Sequence, residues 1–435
     1  MSATDVVVIG GGPAGSVCAS RLARRGCSVV VLEKETFPRF HLGESLLPRS
    51  LPVLEEIGVL EAVKARFIPK YGARFHDDIR KKKDRFSFDG AWKNDIVHAF
   101  EVPRDAFDEL LLDHARASGA DVRQRWTAER VVTNERGRAA GVDATAPDGT
   151  TVRIDARFVV DASGRDVLTA RASGGTSKIE GLDQTALYAH FEGVPRQGGK
   201  LEGDIDIILF PSGLAPRVAD GEGGVARPNW FWVIPFKDGR TSVGAVVSRA
   251  WMRDRRARLS AGESAIATSL FEIAVSESAT ATELLAKATR LWPHAEATAD
   301  FSYRVGATSG DGWLAIGDAG GFIDPLFSTG AHIAMTGGLL AADVIAQALE
   351  SSDEERRLVG EWERYVRAGA ETFILAVQAF YAGPLVGVLF AEDKHAALRR
   401  SITSLLAGDV FNDAIWLRDV RLRLKEMLAS AGTDG

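Results

Sequence analysis

Cysteine is almost missing from this chain: Cys18 and Cys27 are the only two in 435 residues. That excludes a disulfide-built scaffold. Both fall inside one strand–helix–strand stretch, so they read as core residues and suit a reducing, cytoplasmic setting. Neither H-E-x-x-H nor a paired C-x-x-C occurs, and no metal site is expected. The N-terminus has no basic segment followed by an apolar one, so secretion is not expected. An excess of positive charge is absent too, since a net charge of -6 argues against a general nucleic-acid binder. No internal repeat is found. Long uncharged runs are rare. The exception, TFILAVQAFYAGPLVGVLFA at 372–391, is long enough to consider as a membrane span, but Gly383-Pro384 divides it. Two short helices are expected there, without membrane insertion.

What is present is ordinary in bulk, with 46% hydrophobic and 26% charged residues. The length exceeds what one core holds, so two or three lobes are expected. The informative stretch is DVVVIGGGPAGSVCASRLARRGCSVVVLE, from Asp5 to Glu33. Val6 to Ile9 fits a strand buried on both faces of a parallel sheet. Gly10, Gly12 and Gly15 then fill G-x-G-x-x-G before a helix expected from Ala14 to Arg25. Gly10 allows the tight turn, Gly12 leaves room for a pyrophosphate, and Gly15 lets the helix pack on the strand. A second strand, Cys27 to Leu32, ends at Glu33, where a carboxylate is expected to take the hydroxyls of an adenosine ribose. A dinucleotide is therefore expected here, with Pro13 and Ala14 opening the helix whose N–H groups face its phosphates.

Further along, a helix is expected from Pro52 to Val63, a β ribbon from Tyr71 to Ala99 and a helix from Arg104 to Ala117. The ribbon carries Arg80-Lys81-Lys82-Lys83, a solvated hairpin tip that could dock an acidic partner. Strands surround Asp148-Gly149 and Asp238-Gly239, both hairpin signals. Residues 184–250 read as strands, 261–287 as helix, Trp313 to Asp318 as a last buried strand, and 331–349 and the C-terminal stretch as helical. Gly221-x-Gly223-x-x-Ala226 matches a second dinucleotide turn by letter only, because Arg227-Pro228 stands where a helix should run.

The N-terminal GGGPAG, the late Gly317-Asp318 and the β-rich middle together resemble the flavoprotein fold of aromatic hydroxylases and geranylgeranyl reductases. That resemblance implies FAD, with Asp318 reaching the flavin ribityl or phosphate. Three stretches narrow it to the flavin-dependent halogenases. Trp230-Phe231-Trp232-Val233-Ile234-Pro235 is similar to their W-x-W-x-I-P, Phe40 to Pro48 resembles their F-x-x-G-E-S-L-L-P, and Asp324 to Gly330 resembles their flavin-side loop. The implied fold is α/β: a Rossmann-like FAD-binding domain of the glutathione reductase or p-hydroxybenzoate hydroxylase type (1–74, 98–180 and 296–360). An antiparallel β-sheet substrate domain (75–97 and 181–295) is inserted in it, and a helical region (361–435) follows.

The resemblance also implies site residues. Beyond the glycine turn and Glu33, the FAD contacts expected from it are Lys34, Gly43, Glu44, Ser45 and Arg104, then Asp161 and Gly164, and finally Gly317, Asp318, Pro325 and Gly330. The halide is expected on backbone amides of Thr329 and Gly330, with Ser328 beside it, just before a helix. Lys70, in the context K-Y-G-A, matches the family's catalytic lysine. Desolvation would lower its pKa, so it could capture hypohalous acid as a haloamine or, as an ammonium, hold it by hydrogen bonding. Alternate residues of a strand face one way, so Trp230 and Trp232 would share a wall that keeps an organic substrate from the flavin. The alternative is that they are plain core residues of a half-buried strand.

Tryptophan halogenases carry a glutamate where this chain has Phe327, and this chain is short beside them. Both departures point to the phenol or pyrrole type, whose substrate often rides on an acyl or peptidyl carrier protein. The implied activity is halogenation of an electron-rich aromatic with chloride or bromide, FADH2 and oxygen, the flavin electrons coming from a separate flavin reductase. A reductase or monooxygenase of the same fold is the alternative enzyme. A non-catalytic flavin-binding protein is the third reading.

Overall fold

The computed structural model describes residues 4–172, 174–212, 228–259 and 263–433. The glycine pattern at Gly221, Gly223 and Ala226 lies outside them. The chain divides into two compact units, one of Met1–Val63, Val102–Lys178 and Tyr303–Ala370, the other of Lys64–Glu101, Ile179–Ser302 and Glu371–Gly435. Residues 64–74, 98–101, 179–180, 296–302 and 361–370 thus group differently from the sequence reading, and within the second unit Ile68–Lys70 pairs with Ala99–Glu101 in a two-stranded ladder.

In the first unit the β-branched run Val6-Val7-Val8 forms the strand Thr4–Ile9, at the centre of a parallel sheet. Val8 pairs with Val31 on one side and Val160 on the other, and Val160 pairs in turn with Leu314. Both faces are covered, which is why the strand has no polar alternation. Val6, Val8 and Val31 pack with Cys18, Leu22, Leu112, Ala341 and Ile345 from the helices Pro13–Arg24, Arg104–Ala117 and Thr329–Glu350. Val7, Ile9 and Leu32 pack on the opposite face with Val142, Ala144 and Ile154. Those come from the strands Ala139–Thr145 and Thr151–Asp161, joined at Asp148-Gly149 as a hairpin with Gly149 at φ 86°. The helix expected from Pro52 to Val63 is instead two, Leu51–Ile57 and Leu60–Arg66, because Gly58 at φ 89° closes the first with a left-handed cap.

The second unit is built on an antiparallel sheet. Its central strands are Gln184–Glu192, Thr241–Ser248, Asn229–Pro235 and Ile205–Phe210, and the ribbon Gly72–Asp77 with Lys82–Ser87 is added at one edge. One face carries Leu187, Phe231, Val233 and Ala245 against Trp251, Leu270, Phe271 and Ala281 of three helices, Arg249–Arg256, Glu263–Ser276 and Ala279–Leu285. The single helix expected over 261–287 is interrupted at Ser278, whose hydroxyl caps the second piece by accepting from the Ala281 N–H at 3.1 Å. The Asn229–Pro235 strand is buried on both faces, not half-buried as the plain-core alternative had it.

The ribbon ends at Ser87 rather than running to Ala99. At its tip, Arg80 pairs with Asp77 and Lys82 with Glu392. The apolar 372–391 stretch is divided at Gly383, φ 104°, as expected, but its first part is the end of a 28-residue helix, Glu355–Ala382, and not a short one, while the second is the short helix Pro384–Leu389. Among the described residues, the helix long and apolar enough to cross a membrane is Thr329–Glu350, and 56% of its apolar window is buried inside the protein.

Candidate active site

The glycine turn of the first unit separates two demands that the motif merges. A Cβ on Gly15 would lie 2.0 Å from the Gly10 carbonyl oxygen, and one on Gly10, whose φ is 102°, would lie 2.2 Å from that of Ala162. These two glycines are required by the fold itself. Gly15 is needed inside the turn, not against the strand. A Cβ on Gly12 would meet only the Arg39 guanidinium, at 3.5 Å, so the space above it is open to a ligand. The helix Pro13–Arg24 starts here with no side-chain cap and with Pro13 in its first turn, leaving its first N–H groups aimed outward.

Glu33 is buried at the end of its strand and accepts from the Gly11 N–H at 2.7 Å and the Glu35 N–H at 2.8 Å. The middle glycine, given no task by the motif, is thus tied to the acid. A Cβ on Gly11 would stand 3.2 Å from the carboxylate. With two of about four lone-pair sites used, Glu33 keeps acceptor capacity for ribose hydroxyls.

Arg104 forms a two-pronged ion pair with Asp108 at 2.7 and 2.9 Å and donates to the Leu42 carbonyl. It thereby pins the loop of Gly43, Glu44 and Ser45, where Gly43 has φ 96° and both polar side chains are buried. The Val102 N–H donates to the Glu44 carbonyl at 2.7 Å. His41 in this loop is held neutral, its pKa pushed down to about 4 by burial and then by the Arg104 charge. Asp318 has its carboxyl pushed up to about 6 by burial, against the pull of Arg104 and Arg165. Lys34 reaches Asp166 at 2.5 Å, beside Gly164 at φ 62°.

Asp161, expected as a cofactor contact, is fully buried. It accepts from the Ser163 N–H, the Thr169 N–H and the Thr169 hydroxyl at 3.0, 2.7 and 2.6 Å. Its task in the structure is to shape the turn after its strand. One glycine missed by the sequence reading matters at the helix start: a Cβ on Gly338 would lie 2.5 Å from the Ala14 carbonyl oxygen, so the Thr329–Glu350 helix crosses there in close contact. Gly317, at φ 60°, faces Ala14 and Ala334.

The loop before that helix is set by Asp324, which accepts from the Leu326 N–H at 2.9 Å across Pro325. Ser328 takes a left-handed conformation, φ 56° and ψ 30°, and the helix starts at Thr329 with no side-chain cap. Gly330 is crowded by the Phe322 ring, 3.0 Å from where a Cβ would stand. One turn on, buried His332 bonds the Ser50 hydroxyl at 3.1 Å.

In the second unit Lys70 is 1% exposed, with its Nζ 4.0 Å from Oε1 of the fully buried Glu101 and 5.5 Å from the centre of the Phe88 ring. Burial pulls the amine pKa down, while Glu101 and then Asp204 push it up. Trp230 and Trp232 lie on one sheet face as the strand period requires, 1% and 5% exposed, with ring centres 6.1 Å apart. Their N–H groups are satisfied: Trp230 donates to the Tyr381 hydroxyl at 2.8 Å and Trp232 to the Ser242 hydroxyl at 3.1 Å. The Trp232 ring lies over Gly244, where a Cβ would stand 2.2 Å from it. Gly244 inside a strand was the available signal for this close approach.

The glycine turn, with its open face, uncapped helix and buried acid, fits FAD. Residues 3–210 match the FAD binding domain family and residues 215–384 the tryptophan halogenase family. The chain is 31% identical to the 1H-pyrrole-2-carbonyl-[peptidyl-carrier protein] chlorinase of Pseudomonas fluorescens, over 99% of this chain and 94% of that one. It is 28% identical to the corresponding brominase of Pseudoalteromonas luteoviolacea, over 95% of this chain and 93% of that one. Among solved structures, the flavin-dependent brominase Bmp2 superposes with a TM-score of 0.85 over the full length of both chains at 24% identity, a likeness of fold.

Proposed function

The chain belongs to the flavin-dependent halogenases, FAD-dependent oxidoreductases, and from that premise we propose that it halogenates an electron-rich aromatic ring through Lys70. The observation that carries this reading is the amine itself: a lysine 1% exposed, on a strand, beside a buried carboxylate. Lysines are almost never fully buried unless paired, because desolvating an ammonium is costly. Bound FAD, once reduced, supplies the activation of oxygen by which a halide becomes hypohalous acid.

The chain's own residues divide the rest. Gly12 and the helix start at Pro13 hold the pyrophosphate, and Glu33 the ribose. Arg104 fixes the Gly43–Ser45 loop, and Asp318 meets the flavin side chain. Lys34, Gly164, Gly317 and Pro325 complete the FAD contacts. Backbone N–H groups of Thr329 and Gly330, beside Ser328, hold chloride or bromide. Lys70 receives the hypohalous acid and directs its halogen to the ring. Trp230 and Trp232 keep the organic substrate from the flavin.

The substrate proposed first is a pyrrole-2-carbonyl group on a peptidyl carrier protein, as in the names of two relatives. The phenol type is the other member of this class, and Phe327 in place of a glutamate suits both. Electrons come from a separate flavin reductase, and the free thiols Cys18 and Cys27 suit a reducing cytoplasm.

The test is to supply FAD, a flavin reductase with its nicotinamide, oxygen and either halide, with a carrier-bound pyrrole and a panel of phenols, and to read mass shifts. A product one halogen heavier, made only with halide, is expected. Hydroxylated or reduced product without halide dependence would favour the monooxygenase or reductase instead.

A further inference from the structure

The strands Ile68–Lys70 and Ala99–Glu101 form an isolated antiparallel ladder, with Ile68 opposite Glu101 and Lys70 opposite Ala99. Directly paired residues share a side, so Lys70 and Glu101 project from the same side as diagonal neighbours. Both are buried, and the carboxylate oxygen stands 4.0 Å from the amine. The ladder is fixed from outside by the 199–204 loop: a Cβ on Gly203 would lie 2.1 Å from the Pro69 carbonyl oxygen. Asp204, next in that loop, accepts from the Tyr71 N–H at 3.0 Å and from Arg85 at 2.7 Å.

We propose that Glu101 is a positioning residue for Lys70: its carboxylate holds the amine as an ammonium, which donates a proton to the oxygen of hypohalous acid while the halogen passes to the aromatic ring. This rests on the halogenase reading and decides between the two roles that reading leaves to Lys70. In the step, an ammonium N–H bond breaks and an O–H bond forms. The oxygen–halogen bond breaks toward oxygen, so water leaves, and the ring's electron pair forms the carbon–halogen bond. The ring carbon then releases its proton to the amine and regenerates the ammonium. The sum is arene plus hypohalous acid giving haloarene plus water, with hypohalous acid as the oxidant.

The charged neighbours set the sign. Burial disfavours the ammonium, and Glu101 first and Asp204 second oppose it. Asp204 is already engaged by Arg85. Lys200 lies over the Tyr71 ring at 5.5 Å, and His98 stands between the rings of Tyr71 and Phe100 at 5.9 and 5.4 Å. Removing the Glu101 charge therefore moves the balance toward the neutral amine. An amine that had to be halogenated itself would gain from that change, whereas one that must donate a proton would lose.

The experiment compares wild type with Glu101→Gln and Glu101→Asp in two readouts. The first is halogenated product per oxygen consumed as a function of pH. The alkaline limb should move down by about 1–3 pH units in Glu101→Gln and by less in Glu101→Asp. An unmoved limb, or a higher yield of the Gln variant at neutral pH, overturns the proposal. The second is the titration of the Lys70 side-chain carbon in protein with 13C-labelled lysine, assigned with Lys70→Met. Its midpoint should fall in Glu101→Gln, and an unchanged midpoint overturns the proposal. This readout needs no turnover, so a wild type that makes no halogenated product sinks the functional reading while the coupling is still judged. If the Gln variant does not fold, the same two readouts on Glu101→Asp decide.

Discussion

The glycine turn and the lysine ladder are both built to hold a reactive group in place, yet they use opposite means. In the first unit the backbone does it: Gly10 and Gly15 touch carbonyl oxygens that no side chain could approach, and Gly12 is left open. In the second unit side chains do it: a buried amine beside a buried acid, and two buried indoles whose N–H groups end on Tyr381 and Ser242. A backbone site is tolerant of polarity and intolerant of volume. A side-chain site is the reverse, since a buried polar group is costly unless it is partnered.

The comparison can be broken inside the glycine turn, where the largest effect is expected. Gly15→Val should lose the fold of the first unit, because overpacking against a backbone carbonyl reaches or passes the roughly 3 kcal/mol upper end of such substitutions. Gly12→Val should melt close to wild type without FAD and fail to hold flavin absorbance. Equal flavin binding by a folded Gly12→Val would end the distinction.

In the second unit, Trp232→Ala should cost about 3–5 kcal/mol in thermal or denaturant unfolding, as the loss of a buried indole does. In the folded, flavin-loaded variant we expect more hydrogen peroxide per flavin oxidised and some hydroxylated product. Wild-type coupling and halogenation there would reduce both indoles to core residues.

Smaller effects sharpen the account of the nucleotide side. Glu33→Ala should weaken FAD by about 1–3 kcal/mol, measured by titration, through lost charge-assisted bonds to the ribose and loss of the Gly11 N–H partner. Asp318 is the smallest. Its folded-state pKa of about 6 lies above the ordinary 3.8, so its contribution to stability is full below about pH 4 and is lost as pH rises through 6. Asp318→Asn should therefore stabilise the FAD-free protein above pH 6 by about 1 kcal/mol given its partial exposure, read as a higher melting point, and change it little below pH 4. A gain at acid pH only would contradict the sign.

Much of the first unit was legible because its devices are local. The strand, glycine turn, helix, strand and acid from Asp5 to Glu33 follow in register, and each residue type has one backbone reason to be there. What the sequence hid was long-range. Gly338 packs against Ala14, Arg104 pins Leu42 through a helix far along the chain, and the Ser50 hydroxyl meets His332. Asp161 was expected as a ligand contact from the family resemblance, and in the structure its carboxylate closes its own turn. In the second unit the Trp-x-Trp alternation predicted a shared face, which the structure has; Gly244 inside its strand signalled a close approach without naming Trp232, and Glu101 beside Lys70 arises from a pairing register that no local pattern encodes.

The central claim is that Lys70 carries the halogen's transfer to the ring, and Lys70→Ala tests it most directly. The measurement is halogenated aromatic and trapped free hypohalous acid, each per oxygen consumed, in flavin-loaded protein with reduced FAD and halide. The account predicts that ring halogenation is lost and that hypohalous acid appears in the trap in its place. Wild-type ring halogenation by the alanine variant would contradict it.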